Sequence, residues 1–404
     1  MTDDTFGTLS VLLGAALVAR LVASRLPVPE ILVLLVFGAL LGDSVLDVVD
    51  IPLDSFGAQL LFTLGVSMIL FYGGLSLSVS VLRRVWIGLG LLVVPGVLLT
   101  ALVVAVVAHA VFDIRFTAAV LMGAVLAPTD PAILIPLFVR SPLRPKVAQT
   151  VIAESALNDA IGAALALAMA GVLVSGEGSL AHPFADFLVD LAISSAIGVF
   201  AGVLLAAAIS SHRAGIWRES SGLAVLTVVT ISYFSVDSAG GSGYVGAFVA
   251  GLIVGNMDQL GLAMHSRHER EMRDFAFNLA DLVTLLVFVV LGADIPFGVL
   301  GDNLLPSLAV LATLLLVARP LTVLACTLPD RRARWTRAEL GFLCWTRETG
   351  VVPAALVGVL AGLGVPHDDL YASVVALAII ATLLLQALPA PWLAGRLGLL
   401  EPGP

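Results

Sequence analysis

Apolar residues run through this chain in long stretches, separated by short segments in which arginine, aspartate, glycine and proline collect. Thirteen stretches stand out, at about 6–24, 30–42, 56–77, 85–109, 116–139, 146–174, 185–210, 219–236, 243–257, 275–292, 304–326, 337–364 and 369–395. A helix of roughly 20 residues crosses a hydrocarbon core of about 30 Å while satisfying its own backbone without water. The pattern therefore predicts an all-α polytopic membrane protein with about 13 transmembrane helices, the second and ninth short, in which 1–404 form a single transmembrane domain. Composition agrees, because 59% apolar and 12% charged side chains with a mean hydropathy of +1.08 lie outside the range of soluble domains. The acidic start "MTDDTFGTLS" lacks the cationic region of a signal peptide, so the first stretch reads as a retained span. Cys326 and Cys344 sit in apolar stretches without CxxC spacing, which points to packing rather than a disulfide or metal framework.

Charge changes the picture by giving the chain two sides. Cytoplasmic loops collect lysine and arginine. Taking alternate connections, 16 of the 20 basic residues fall on one side: Arg25, Arg83, Arg84, Arg140, Arg144, Lys146, Arg213, Arg218, Arg267, Arg270, Arg273, Arg331, Arg332, Arg334, Arg337 and Arg396. The other side holds Arg115 among Asp43, Glu177, Asp294, Asp302, Asp368 and Asp369. A missed or invented span would scramble that alternation, so the expectation is an outer N-terminus and a cytoplasmic C-terminus in the inner (plasma) membrane of a prokaryote. The net charge of −9 is dispersed over loops, which argues against nucleic acid as a partner. Arg20, Arg319 and Arg347 remain inside spans; Arg20 lies near a cytoplasmic end and can snorkel.

A second regularity appears when spans 1–6 are laid beside spans 8–13, with span 7 at 185–210 as a linker. Span 5 contains "LAPTDPAIL" and span 12 "WTRETGVVPAAL", each bringing proline and polar residues to mid-membrane. Proline removes a helical hydrogen bond and leaves backbone groups in need of partners. Two six-helix units of opposite orientation, about 6–174 and 219–395, then read as inverted repeats with crossed discontinuous helices at spans 5 and 12. That architecture belongs to secondary transporters.

The chemistry gathers in "IAESALNDAIG" at 152–162. An intramembrane carboxylate such as Asp159 is expensive unless paired, hydrated or protonated, and marks a functional site by default. Since burial favours the neutral form of a carboxyl and a bound cation the ionised one, such a group suits proton-for-cation competition. Asn158 supplies a neutral amide beside it, or an interhelical packing contact. Glu154, five residues earlier, faces about 140° away and needs a cationic partner, for which Arg319 on span 11 is the candidate. Thr129 and Asp130, between Pro128 and Pro131, offer hard oxygens where the helix must unwind. Arg347 and Glu348 can neutralise each other or offset half-helix dipoles, and Thr349 and Pro353 mark the second break. Gly251 and Gly255 have the GxxxG spacing of close helix packing, and "HSRHEREMRD" at 265–274 reads as a solvated charged loop.

In order and at matching spans, "APTDPA", "ESALND", "ARPL" and "FVAGLIVGN" resemble the cation/proton antiporter superfamily, in its NhaP-type sodium/proton exchanger branch, over nearly the whole chain. The resemblance implies a homodimer in the bilayer in which a six-helix core moves like an elevator. It makes Asp159 the carrier carboxylate, with Asn158, Asp130, Thr129 and Ser155 near the ion and Glu154 paired with Arg319. Na+, or K+ or Li+, would sit at Asp159, Asp130 and Thr129, with no cofactor. Asn158 in place of aspartate resembles the electroneutral branch. Two positions depart from the family pattern: "TRETG" has Thr349 where an arginine is common, with Arg347 two residues earlier, and "FYGG" has Tyr72 where an acid is frequent. No cytoplasmic regulatory or nucleotide-binding domain is expected after Arg396. The competing readings are a sodium-coupled organic-anion symporter on a related fold and an intramembrane serine protease built on Ser242 of "GGSG". The protease needs a histidine within reach, which the loop positions of most histidines do not supply, so the chain reads as a transporter and not an enzyme.

Overall fold

The computed structural model describes residues 2–130, 142–176, 183–211, 215–330 and 333–401 apart from positions 27, 44, 50, 52 and 54, and no side chains at 2–5, 80–87 or 183–186. Pro131, Arg140, Glu177, Arg213, Arg331 and Arg332, with the side chains of Arg83 and Arg84, lie outside that description. The chain folds into helices: α1 Thr2–Ala23, α2 Glu30–Leu41, α3 Phe56–Ser76, α4 Val79–Phe112, α5 Phe116–Leu126, α6 Pro145–Ser175, α7 Pro183–Ile209, α8 Ser221–Ser238, α9 Gly243–Gly255 and α10 Ser266–Ala293. The short α11 Phe297–Asp302 leads into α12 Leu304–Thr313 and α13 Arg319–Thr327, followed by α14 Arg337–Trp345, α15 Val351–Gly362, α16 Asp368–Thr382 and α17 Ala390–Arg396. No strand forms among the described residues beyond one isolated bridge, Leu143 to Leu400. Nine of the described spans are long and apolar enough to cross a membrane, and four shorter apolar helices accompany them: α2, α5, α9 and α15. The protein is an all-α polytopic membrane protein.

Local chemistry explains the interruptions. α5 stops at Leu126 because Pro128 has no N–H to continue the ladder. Between α14 and α15 residues 346–350 are non-helical. Pro353 lies not in that break but in the first turn of α15, where its missing N–H would have no intrahelical partner anyway. Two five-residue π turns, Leu314–Ala318 and Leu383–Ala387, precede Pro320 and Pro389, and the wider turn accommodates a ring that would strike the carbonyl four residues back.

Packing follows residue size. Phe62, Met68, Phe71, Phe288 and Tyr371 are fully buried between helices, while Leu305, Phe234 and Leu316 point outward with more than 70% of their surface free. An apolar periphery of that kind needs hydrocarbon around it. The Gly251 and Gly255 pair serves packing within the chain: a Cβ at either would strike the carbonyl of Phe71 or Leu75, so α9 lies directly on α3. Arg20 does not simply snorkel. Its guanidinium binds both oxygens of Asp281 at 2.8 Å and Glu30 at 2.6 Å, joining α1, α2 and α10.

Candidate ion-binding site

The two helix interruptions meet. Unwinding at 127–130 frees backbone groups that must find partners inside the protein, and α6 provides them. The N–H of Thr129 donates to Asn158 Oδ1 at 3.2 Å, Asn158 Nδ2 donates to Thr129 Oγ1 at 2.9 Å, and Ser155 Oγ donates to the Thr129 carbonyl. Asn158 and Ser155 thus act first as clamps that fix the unwound segment. Asp130 is held by the other break: its N–H donates to the Glu348 carbonyl at 2.9 Å and its Oδ2 accepts from Val351 N at 3.3 Å.

That last contact puts a carboxylate at the N-terminus of α15, where unpaired N–H groups and the helix dipole favour negative charge. Arg347 does the converse. Its Nη2 donates to the carbonyls of Leu126 and Ala127 at 2.7 and 2.8 Å, at the C-terminal end of α5. Arg347 and Glu348 make no ion pair within 4 Å, and the hydrogen bonds of the Arg347 guanidinium go to the end of α5 instead. Glu348 is 2% exposed with Oε1 unpartnered, and Thr349 is fully enclosed, its N–H donating to Thr382 Oγ1 at 3.1 Å.

Glu154 and Arg319, both nearly inaccessible, form a two-pronged ion pair between α6 and α13: Nη1 meets Oε1, and Nη2 meets Oε2 at 3.1 Å. Arg319 Nε also donates to the Leu343 carbonyl on α14 at 2.9 Å, so one guanidinium ties three helices. Asp159, on another face of α6, is left differently. It is partly buried, and its Oδ1 is enclosed with no hydrogen-bond partner among the described residues. Asp130 lies within Coulombic reach of it. Buried carboxylate oxygens nearly always have partners, so an unpartnered one within Coulombic reach of Asp130, and next in sequence to the Asn158 that holds Thr129, is suited to a small hard cation or a proton.

Three contributors went unseen in the sequence. Thr382 and the Leu126 and Ala127 carbonyls carry no local signal, because their partners lie far along the chain. Gly350 did carry one, as the glycine of "ETG": a Cβ there would fall on the Asp130 carboxylate.

A core in which a chain segment unwound at 127–130 meets a second break at 346–350, close to an intramembrane aspartate, has the character of an ion-coupled membrane transporter. Residues 12–395 match the family described as "Sodium/hydrogen exchanger, transmembrane", and the chain belongs to that family. It is 28% identical over 368 residues to the probable Na(+)/H(+) antiporter 2 of Methanocaldococcus jannaschii, covering 88% of this chain and 84% of that protein. It is 28% identical over 384 residues to the K(+)/H(+) antiporter NhaP of Alkalimonas amylolytica, covering 95% of this chain but 65% of that longer protein. The fold is similar to that of the sodium proton antiporter MjNhaP1 from M. jannaschii at pH 8, with a TM-score of 0.80 at 24% identity over 95% of this chain and 98% of that one.

Proposed function

We propose that this chain is an electroneutral antiporter that exchanges one Na+ for one H+ by alternating access, with Asp159 taking either cargo in turn. K+ is an alternative cation, since the similar proteins include both Na(+)/H(+) and K(+)/H(+) antiporters by name, and Li+ is another as a small hard cation. The observation that carries the reading is the enclosed, unpartnered Oδ1 of Asp159 beside a break whose other polar groups are largely satisfied. Thr129 Oγ1 and the Asp130 carboxylate would complete the ion's oxygen shell, and Asn158 and Ser155 would hold Thr129 in place for it.

Electroneutrality follows from arithmetic of charge. With Asn158 neutral and Glu154 committed to Arg319, Asp159 alone changes cargo, so the loaded site carries the same charge with either. A membrane potential, worth roughly 2.3 kcal/mol per charge per 100 mV, then has no purchase on the cycle. In this reading the halves 6–174 and 219–395 are inverted repeats with 185–210 as linker, the protein works as a homodimer, and a core bearing Asp159 moves in an elevator-like way, with the C-terminus cytoplasmic. The test is cation-induced dissipation of a preset pH gradient in proteoliposomes with Na+, K+ and Li+, at zero and imposed voltage. Cation-dependent rates indifferent to voltage support the reading and name the cargo. Rates that follow voltage overturn electroneutrality, and no proton movement by folded protein turns the reading to organic-anion symport.

A further inference from the structure

The second break is anchored at both ends by one span. At its start Gln386 Nε2 donates to the Trp345 carbonyl at 2.6 Å, and near its end the Thr349 N–H donates to Thr382 Oγ1 at 3.1 Å. Thr382 closes α16 and Gln386 lies four residues on, in the π turn Leu383–Ala387, so the two side chains share a face. They are 0% and 4% exposed. Thr382 Oγ1 donates its one proton to the Ile379 carbonyl at 3.2 Å, so toward Thr349 it can only accept. The first break is gripped in the same way, with Ser155 and Asn158 of α6 taking the carbonyl and the N–H of Thr129. In the inverted-repeat reading the span that holds Thr382 and Gln386 is the counterpart of α6, so each half supplies the clamp for its own broken helix.

We propose that Thr382 and Gln386 are positioning residues for cation binding, anchoring the 346–350 break so that Asp130 meets the cation in a fixed place. The inference rests on the antiport reading for its cargo. Asp130 is held by the residues that flank Thr349 and Gly350: its N–H donates to the Glu348 carbonyl at 2.9 Å and its Oδ2 accepts from Val351 N at 3.3 Å. A displaced Thr349 would carry both of those groups with it. The break cannot fix itself, because it lacks a helical ladder and contains a glycine, the residue with the most backbone freedom. Gly350 cannot be exchanged for a stiffer residue, since a Cβ there would fall on the Asp130 carboxylate. Rigidity therefore has to come from outside the break, and the two anchors provide it at Trp345 and Thr349.

The test measures cation binding and backbone protection together. Na+, K+ and Li+ are titrated at one fixed pH into detergent-solubilised wild type, Thr382→Val, Thr382→Ser and Gln386→Met, and hydrogen exchange is followed in peptides covering 127–130 and 346–351. Thr100→Val is the matched control, since it removes a likewise buried hydroxyl, on α4, that pairs with Thr322 of α13 at 3.1 Å. Thr382→Val should weaken cation binding roughly tenfold and speed exchange in both segments, because the stranded Thr349 N–H loosens Glu348 and Val351 with it, while Thr382→Ser stays within about twofold of wild type. Gln386→Met should act in the same direction, and it carries the test if the valine variant does not fold. Thr100→Val should lower thermal stability while leaving affinity and both segments as in wild type. Wild-type affinity in Thr382→Val and Gln386→Met, a serine variant as weak as the valine one, or exchange that speeds at 346–351 but not at 127–130 overturns the proposal. A wild type that binds none of the three cations would defeat the antiport reading, and exchange at 127–130 would still decide whether these anchors hold Asp130.

Discussion

Breaking the ion pair between Glu154 and Arg319 should destabilise the fold before it touches ion chemistry. Arg319→Ala removes both charged hydrogen bonds to Glu154 and the 2.9 Å bond from Nε to the Leu343 carbonyl, in a place where the two side chains are 5% and 4% exposed. Two charge-assisted bonds at about 1.5–3 kcal/mol each give roughly 3–6 kcal/mol, matching the roughly 3–5 kcal/mol usual when one half of a buried pair is lost. Glu154→Leu, which strands the arginine, should be damaging to a similar degree. Glu154→Leu with Arg319→Met removes both charges together and should return to within about 1 kcal/mol of wild type, since apolar replacement of a buried pair is often neutral. The assay is unfolding in dodecyl maltoside micelles with a rising dodecyl sulfate fraction. Single variants within about 1 kcal/mol of wild type, or a double variant as unstable as the two singles summed, would refute the assignment of this pair as a structural tie.

Asn158→Ala should free the Thr129 N–H and hydroxyl, costing about 1–3 kcal/mol and raising the cation KM more than it lowers the folded fraction, as KM and thermal stability measured together would show. Gly350→Ala should abolish exchange by displacing the Asp130 carboxylate, whereas Gly14→Ala, where a Cβ meets nothing within 4 Å, should leave activity at wild-type level. On the acidic face, partial burial and then Asp369, Asp368 and Asp43 push the Asp294 carboxyl up from 3.8 to about 7. A raised acid stabilises the fold below its unfolded value and loses that contribution as pH climbs through about 7. Asp294 keeps contact with solvent, so screening trims the effect to about 1 kcal/mol. Asp294→Asn should therefore match wild type in thermal stability near pH 4 and exceed it at pH 8, and a constant difference across that range would refute the account.

Features whose signal is local were legible in the sequence. The carboxylate of Asp159 in an apolar run and the break at Thr129 and Asp130 each announce themselves, because charge and unwound backbone are costly in mid-membrane wherever they occur. What stayed hidden depends on distant partners. Arg20 read as a snorkelling side chain until Asp281, 261 positions later, was seen across from it. Arg347 was open between neutralising its neighbour Glu348 and offsetting a helix end, and only carbonyls about 220 positions earlier decide for the second. The GxxxG of α9 left its receiving surface open, and the structure supplies it as Phe71 and Leu75 of α3. Pro353 was misplaced by a few residues because proline suits a helix's first turn as well as a break.

The central claim is that cation and proton compete for one carboxylate, and calorimetry of cation binding tests it most directly. Na+, K+ or Li+ is titrated into the detergent-solubilised protein over a series of pH values from 8 downward, in buffers of different ionisation enthalpy, for wild type and Asp159→Asn. The account predicts that proton release accompanies cation binding in wild type, growing toward one proton per cation as pH is lowered. It predicts neither cation binding nor release in a folded Asp159→Asn. Cation binding that displaces no proton at any pH, or that survives in Asp159→Asn with its release intact, would contradict it.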